Sequence, residues 1–198
     1  TTLHRFWSML SHYHGQVWNA SEFGRSFGVA DTTVRNYLDL LSSALVVRQL
    51  LPWHENISKR QVKSPKVYIT DSGLLHTLLG IKTRGDLEKH PKIGASWEGF
   101  AMEQVLARTG DREAYFWATH GGAELDLVIN ARAKMWGFEF KANPDAGMTK
   151  SIGTALDDLP LERVWIVHPG DGRRTVHARV EALGLGRLGD AMRAVLGE

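Results

Sequence analysis

Two short apolar stretches carry acids and a lysine at strand spacing: Glu124-Leu125-Asp126-Leu127-Val128-Ile129 and Gly137-Phe138-Glu139-Phe140-Lys141. Side chains on a strand alternate between faces. Asp126 is therefore expected to share a side with Val128, and Glu139 with Lys141, while Leu125, Leu127, Phe138 and Phe140 point the other way. The intervening Asn130-Ala131-Arg132-Ala133-Lys134 is short and polar, which predicts a hairpin. A turn centred between Arg132 and Ala133 sets Asp126 opposite Glu139 and Glu124 opposite Lys141. Like charges directly opposite destabilise a ladder. A divalent cation would compensate two carboxylates placed in this way, with the lysine ammonium at the same spot.

The alternative is that Asp126 and Glu139 are solvated outward positions of a half-exposed hairpin, with Lys141 as a salt-bridge partner. A third acid favours the metal. In Ser96-Trp97-Glu98-Gly99-Phe100-Ala101-Met102-Glu103-Gln104-Val105-Leu106, helical spacing puts Glu98 in the arc of Ala101, Met102, Val105 and Leu106, whereas Glu103 projects away from it. An inward acid needs a charge partner or a metal, because burying even a neutral polar group unpaired costs roughly 2–7 kcal/mol.

The elements that must position these residues follow from the rest of the chain. A length of 198 residues with 43% hydrophobic content suits one large domain or two small ones with a packed core. No apolar run is long enough to span a bilayer and no charged-then-apolar leader opens the chain, so a soluble, cytoplasmic protein without membrane contact is expected. The absence of cysteine excludes disulfides, thiolate zinc sites, iron–sulfur clusters and cysteine nucleophiles. Any metal must be held by Asp, Glu, His or backbone oxygen. The net charge of +2 permits a nucleic-acid partner without requiring one. The chain begins Thr1-Thr2 without an initiator methionine, and is expected to be a piece of something longer.

Helical periodicity covers His4 to Tyr13. A short helix follows around Ser21, its expected cap, and a longer one runs from an expected cap at Asp31 to about Ala44. Two helices separated by a tight glycine-containing turn are helix-turn-helix grammar. Leu45 to Trp53 and Val67 to Thr70 read as strands, and the loop between them carries Lys59, Arg60, Lys63 and Lys66. Together they predict a wing whose basic residues, with Arg35 of the preceding helix, meet the phosphates of DNA. The alternative is a wing used for protein contacts. Asp71 is expected to cap a helix ending near Gly80, and Ile81 to Ile93 is weakly patterned, which places a domain boundary after residue 80. Beyond it the order is helix, three strands, helix and strand, followed by a strand-like stretch from Val176 and a terminal helix to Leu196. The expected fold is α/β: a winged helix-turn-helix domain over 1–80 and a second α/β domain over 81–198.

Other motifs carry less. Gly24-Arg25-Ser26-Phe27-Gly28 spells a nucleophile elbow, yet lies in a helical segment instead of a strand-to-helix turn. No phosphate loop ending in Gly-Lys-Ser or Gly-Lys-Thr occurs. His12 and His14 read as a solvated helix end, and His120 as a loop histidine.

Glu98 on a helix, Asp126 on a strand and Glu139-x-Lys141 on the next resemble the PD-(D/E)xK nuclease superfamily, a restriction-endonuclease-like fold. That resemblance implies Glu98, Asp126 and Glu139 as ligands of Mg²⁺ or Mn²⁺. It makes Lys141 the group that orients the attacking water, and Asp126, Glu139 and Lys141 the catalytic set. Leu125 stands where the family name has proline. The chain is also similar, from about Phe23 to His168, to the domain of unknown function that follows the ATPase module of many bacterial and archaeal AAA-type ATPases. Lys66-Val67-Tyr68-Ile69-Thr70-Asp71-Ser72-Gly73-Leu74, Trp97-Glu98-Gly99-Phe100, Glu124-Leu125-Asp126-Leu127 and Phe138-Glu139-Phe140-Lys141 carry that similarity. The expected function is a metal-dependent DNA nuclease joined to an ATPase module. The alternatives are a non-catalytic DNA- or partner-binding module and a platform that regulates the ATPase.

Overall fold

The computed structural model describes residues 2–53 and 63–197. It divides the chain into two compact units, Thr1–Leu50 with Ser64–Phe100, and Leu51–Lys63 with Ala101–Glu198. The sequence places a boundary after residue 80; the division by contacts falls after Phe100.

The first unit runs α1 (Thr2–His12), β1 (Gln16–Val17), α2 (Ala20–Phe27), α3 (Asp31–Ser43), β2 (Val47–Leu50), β3 (Lys66–Ile69), α4 (Ser72–Leu78) and α5 (Arg84–Lys89), and ends in the first half of α6 (Ile93–Thr109). Its sheet is antiparallel in the order β1-β3-β2. The helices bury Phe6, Leu10, Phe23, Val34, Leu38 and Leu75 against Val47, Val67 and Ile69 of that sheet. Asp71 caps α4 as expected, its carboxylate accepting from Leu74 N at 2.6 Å. The cap of α2 is Asn19 instead of Ser21: the Asn19 side chain accepts from Glu22 N, and the Ser21 hydroxyl donates to Asn19 Oδ1 at 2.8 Å. Asp31 is the first residue of α3, where a carboxylate still favours the positive end of the helix. The weakly patterned stretch after Gly80 contains α5, too short to show periodicity. It is nucleated by a reciprocal capping box between Thr83 and Asp86.

The second unit runs from the rest of α6 through β4 (Ala114–Ala118), β5 (Glu124–Ala131), β6 (Lys134–Phe140), α7 (Lys150–Asp158), β7 (Leu161–His168), β8 (Arg173–His177) and β9 (Val180–Gly184) to α8 (Leu188–Leu196). The six-stranded sheet has the order β4-β5-β6-β7-β9-β8. β5 is antiparallel to β4 and β6, while β6, β7 and β9 are parallel. A parallel neighbour requires a crossover, and α7 supplies it between β6 and β7. The apolar side of α7, Ile152, Ala155 and Leu156, packs with Leu125, Val128, Val164 and Ile166 of the sheet. Gly137 makes room there: a Cβ on it would lie 2.8 Å from Leu125 Cδ2 and 3.1 Å from Val164 Cγ2. The strand expected over Leu45–Trp53 is shorter, because its end joins β4 instead: Phe116 N donates to Leu51 O and Trp53 N donates to Phe116 O.

Among the described residues, no helix is long and apolar enough to cross a membrane.

Candidate active site

The β5–β6 hairpin has the register expected from its turn. Leu127 pairs with Phe138, Val128 with Gly137 and Ala131 with Lys134, so the turn is centred between Arg132 and Ala133. Both turn residues hold a left-handed backbone, φ 54° and 59°, the conformation that a two-residue hairpin turn demands. The pairing ends at Leu127 and Phe138, with Asp126 and Glu139 the next residues of the two strands.

The alternation of side chains fails at one step. Tyr115 pairs with Val128 and Trp117 with Leu125, so β4 uses one residue, Phe116, where β5 uses two, Asp126 and Leu127. This β-bulge puts Leu125 on the same core side as Val128, against the expected alternation. Bulges re-aim side chains and are common beside functional sites. Here the bulge falls on Asp126, whose Oδ2 accepts the Phe140 N–H at 2.8 Å. The next amide, Lys141 N–H, points to the other neighbour and donates to Val167 O at 3.0 Å. Asp126 is thus tied by its carboxylate to the backbone between Glu139 and Lys141, and it is only 6% exposed.

On β6, Glu139 and Lys141 share a face as expected. Lys141 Nζ lies 2.7 Å from Glu139 Oε1, pairing a half-exposed ammonium with a carboxylate that is 6% exposed. Buried oxygen donors of this kind suit hard cations. Mg²⁺ commonly takes one or two carboxylates and completes its shell with water and substrate phosphate. Asp126 and Glu139 supply that number. Among the described residues no three His, Asp or Glu side chains form a group able to hold a metal ion by themselves.

Glu98 points inward within the first unit, where β3 supplies its partners. Tyr68 Oη donates to Glu98 Oε1 at 2.5 Å, and Lys66 Nζ lies 3.4 Å from the same oxygen. Lys66 is therefore corrected as a phosphate contact: it is 3% exposed and ion-paired to Glu98. The long ammonium side chain of Lys66 falls on a strand whose residues are all buried. His14 is the second correction. It is buried, its Nδ1 accepts from Ile69 N at 3.0 Å, and its Nε2 faces Ala95 O at 3.1 Å. These bonds require the Nε2–H tautomer. Burial, its largest cause, pushes the imidazole down to about 4. Gly99 of α6 accommodates the ring, since a Cβ there would stand 2.5 Å from His14 Nε2.

Of the remaining expected phosphate contacts, Arg35 is exposed on α3 and lines a cavity of about 360 Å³ with Trp18, Asn19, Ser21 and Asp31. Lys63 is exposed, and Lys59 and Arg60 lie outside the described residues. His120 is exposed in the β4–β5 turn. Tyr68, named above only within a run of residues that carries a family similarity, is the hydrogen-bond donor to Glu98. It is flanked by Val67 and Ile69 on a fully buried strand, so local pattern alone does not mark it as a partner of Glu98.

Residues 1–85 match the family model of a domain of unknown function, DUF8612, and residues 93–188 match that of another, DUF4143. Among curated proteins, an uncharacterized protein of Mycobacterium bovis and one of Mycobacterium tuberculosis are each 52% identical over 172 residues. Those alignments cover 87% of this chain and 39% of the relative, so the chain spans about two fifths of the length of the curated relatives it matches. No solved structure matches the chain. DUF4143, the family that the second half of the chain resembles, is known from AAA-ATPase-associated contexts.

Proposed function

We propose that this chain is a metal-dependent phosphodiesterase acting on nucleic acid, a PD-(D/E)xK-like nuclease preceded by a winged helix and working beside an AAA-type ATPase module. The observation that carries the reading is the Glu139–Lys141 pair on β6, with the Asp126 carboxylate tied to the Phe140 amide between them. The order α6, β4-β5-β6, α7, β7 supports the nuclease-like core. For the first unit, the order α1-β1-α2-α3-β2-β3 with the sheet order β1-β3-β2 supports the winged helix. The ATPase module is inferred from the context of DUF4143 and from relatives longer than this chain.

Asp126 and Glu139 would hold Mg²⁺ or Mn²⁺, which when bound polarises a phosphoryl oxygen and lowers the pKa of water. Lys141 keeps a positive charge beside the developing charge of the transition state and orients the water. It is preorganised by its bond to Glu139, so little reorganisation accompanies reaction. Arg35, exposed on α3, and Lys63, also exposed, would meet the sugar-phosphate backbone. A second reading, a non-catalytic DNA-binding module, is favoured by the cavity at Arg35.

The test is incubation of labelled single-stranded, double-stranded and branched DNA, and of RNA, with the chain and Mg²⁺ or Mn²⁺. Cleavage abolished by chelation is the expected result. Retention of DNA without cleavage of any substrate, by this chain or by the longer protein that contains it, would leave only the binding reading.

A further inference from the structure

We propose that four arginines of the second unit, Arg163, Arg173, Arg187 and Arg193, form a binding surface for the sugar-phosphate backbone of a nucleic acid, separate from the Glu139–Lys141 site; the inference rests on the reading above that nucleic acid is the substrate. Strand register gives the surface its side of the sheet. Phe138 pairs with Trp165 and Trp165 with Glu181, so Glu181 lies on the face of Phe138, opposite that of Glu139. Arg163 precedes Trp165 by two residues on β7, and Arg173 of β8 pairs with Leu183, two residues after Glu181 on β9. Both therefore share the face of Glu181. Arg187 immediately precedes α8 and Arg193 lies within it.

Two carboxylates join the four guanidiniums. Arg173 is the strut: its Nε and Nη2 donate to Glu181 at 2.7 and 3.3 Å, and its Nη1 lies 3.8 Å from Asp190 Oδ2. The other three are held more loosely. Arg163 Nη1 lies 3.8 Å from Glu181 Oε2, Arg187 Nη1 lies 4.0 Å from Asp190 Oδ2, and Arg193 Nη2 donates to Asp190 Oδ1. A guanidinium carries five N–H donors, so even Arg187, whose Nε also donates to Asp171 O at 2.6 Å, keeps donors for an outside acceptor.

The acids lie beneath the arginines. The side chains of Glu181 and Asp190 are 10% and 26% exposed, whereas those of Arg163, Arg187 and Arg193 are 41%, 54% and 60% exposed. What faces solvent is guanidinium, and it is in excess: four cations meet two carboxylates. A third acid, Asp171, borders the patch with its Oδ1 against Gly186, and counting it still leaves one positive charge over. Guanidiniums recognise phosphate through paired N–H donors, which makes arginine the side chain suited to such a surface. Lying on the opposite face of the sheet from Glu139, these arginines hold a stretch flanking the phosphate that is cut. Their contribution therefore grows with the length of the nucleic acid.

The experiment measures binding by fluorescence anisotropy across a range of salt, with the whole chain and with Ca²⁺ in place of Mg²⁺. Arg163→Gln, Arg187→Gln and Arg193→Gln are combined in one variant, which leaves Arg173 and both its acids in place, and the same three positions are changed to Lys in a second. On labelled duplex DNA of about 30 base pairs, or RNA of that length, the Gln variant should bind about tenfold or more weakly, and its slope of log affinity against log salt should be shallower by roughly 2–3. The Lys variant should keep most of both. A duplex of about 8 base pairs should bind the Gln variant and the unmodified chain alike. Arg163→Glu alone, at a side chain with a single exposed ion pair on which little stability rests, should weaken binding to the long duplex in the same sense. Unchanged affinity and salt slope of the Gln variant on both long nucleic acids overturn the surface and leave the nuclease reading standing. Weakened binding of a polyglutamate peptide with nucleic-acid affinity unchanged also overturns it, and assigns the arginines to an acidic protein. Absence of nucleic-acid binding by the unmodified chain removes the surface, while cleavage of the same labelled strands in Mg²⁺ decides the nuclease reading separately.

Discussion

Asp126 is asked to do two things, and substitution separates them. Its Oδ2 accepts the Phe140 N–H at 2.8 Å in a buried setting, which is a structural role. Its negative charge is the proposed metal role. Asp126→Asn keeps an acceptor oxygen of the same shape and removes the charge. A hydrogen bond to a charged group contributes about 1.5–3 kcal/mol and a neutral one about 0.5–1.5 kcal/mol, so the loss in the bond is about 1 kcal/mol. Relief of carboxylate desolvation and of repulsion from Glu139 offsets that loss, leaving stability near that of the unmodified chain or above it. Asp126→Ala removes the bond and strands the buried amide, a loss of about 3 kcal/mol. For a protein of this size that corresponds to a melting temperature lower by about 6–12 °C. Thermal unfolding followed by calorimetry reads both variants, and calorimetric titration with Mn²⁺ reads the metal. Both variants should lose Mn²⁺ binding, but only Asp126→Ala should lose stability. Equal stability of the two would refute the bond to Phe140 as a structural element, and undiminished Mn²⁺ binding by Asp126→Asn would refute the ligand role.

Further outcomes follow from other parts of the structure. His14 is held near 4 when folded and near 6.5 when unfolded, so the unfolded chain binds the extra proton and stability falls as pH drops from 6.5 toward 4, by about 3 kcal/mol in the limit. Urea unfolding across that window should show a steeper loss for the unmodified chain than for His14→Gln, and equal slopes would contradict it. Lys66→Met leaves Glu98 without its ammonium at a site 16% exposed and should cost about 3 kcal/mol, read by urea unfolding, while DNA affinity measured by fluorescence anisotropy stays within twofold. Reversing charge at Arg35 and Lys63 should instead weaken DNA binding across sequences and flatten its salt dependence without loss of stability; unchanged affinity would point to protein contacts. Ala133→Gly relieves a left-handed alanine in the β5–β6 turn and should stabilise by about 1 kcal/mol, with a lower melting temperature as the contrary result.

The hairpin was legible because its turn length fixes a register and because acids at every second position of an apolar strand must be met by a cation or by solvent. What the period of two could not reveal was the bulge. An extra residue is a property of the pairing between β4 and β5 and leaves no mark on β5 read alone, so Leu125 was placed on the wrong side. Lys66 and His14 were misjudged for one shared reason: charged and imidazole side chains were assigned to solvent by type. Their partners, Glu98 for Lys66 and Ala95 and Ile69 for His14, lie tens of residues away, beyond the reach of local patterning. The helix at Arg84–Lys89 was readable from Thr83-x-x-Asp86, a cap signal that periodicity over six residues could not reinforce.

The central claim, that Asp126, Glu139 and Lys141 hydrolyse phosphodiesters with a divalent cation, is tested most directly by one paired time course. Labelled DNA is incubated in Mg²⁺ with the unmodified chain and, in parallel, with Lys141→Ala, and bound metal is measured on the same two samples. The account predicts that both bind the cation, since an ammonium is no ligand, and that only the unmodified chain cuts. Equal cutting by the two samples, or no cutting by the unmodified chain with the cation bound, would contradict it.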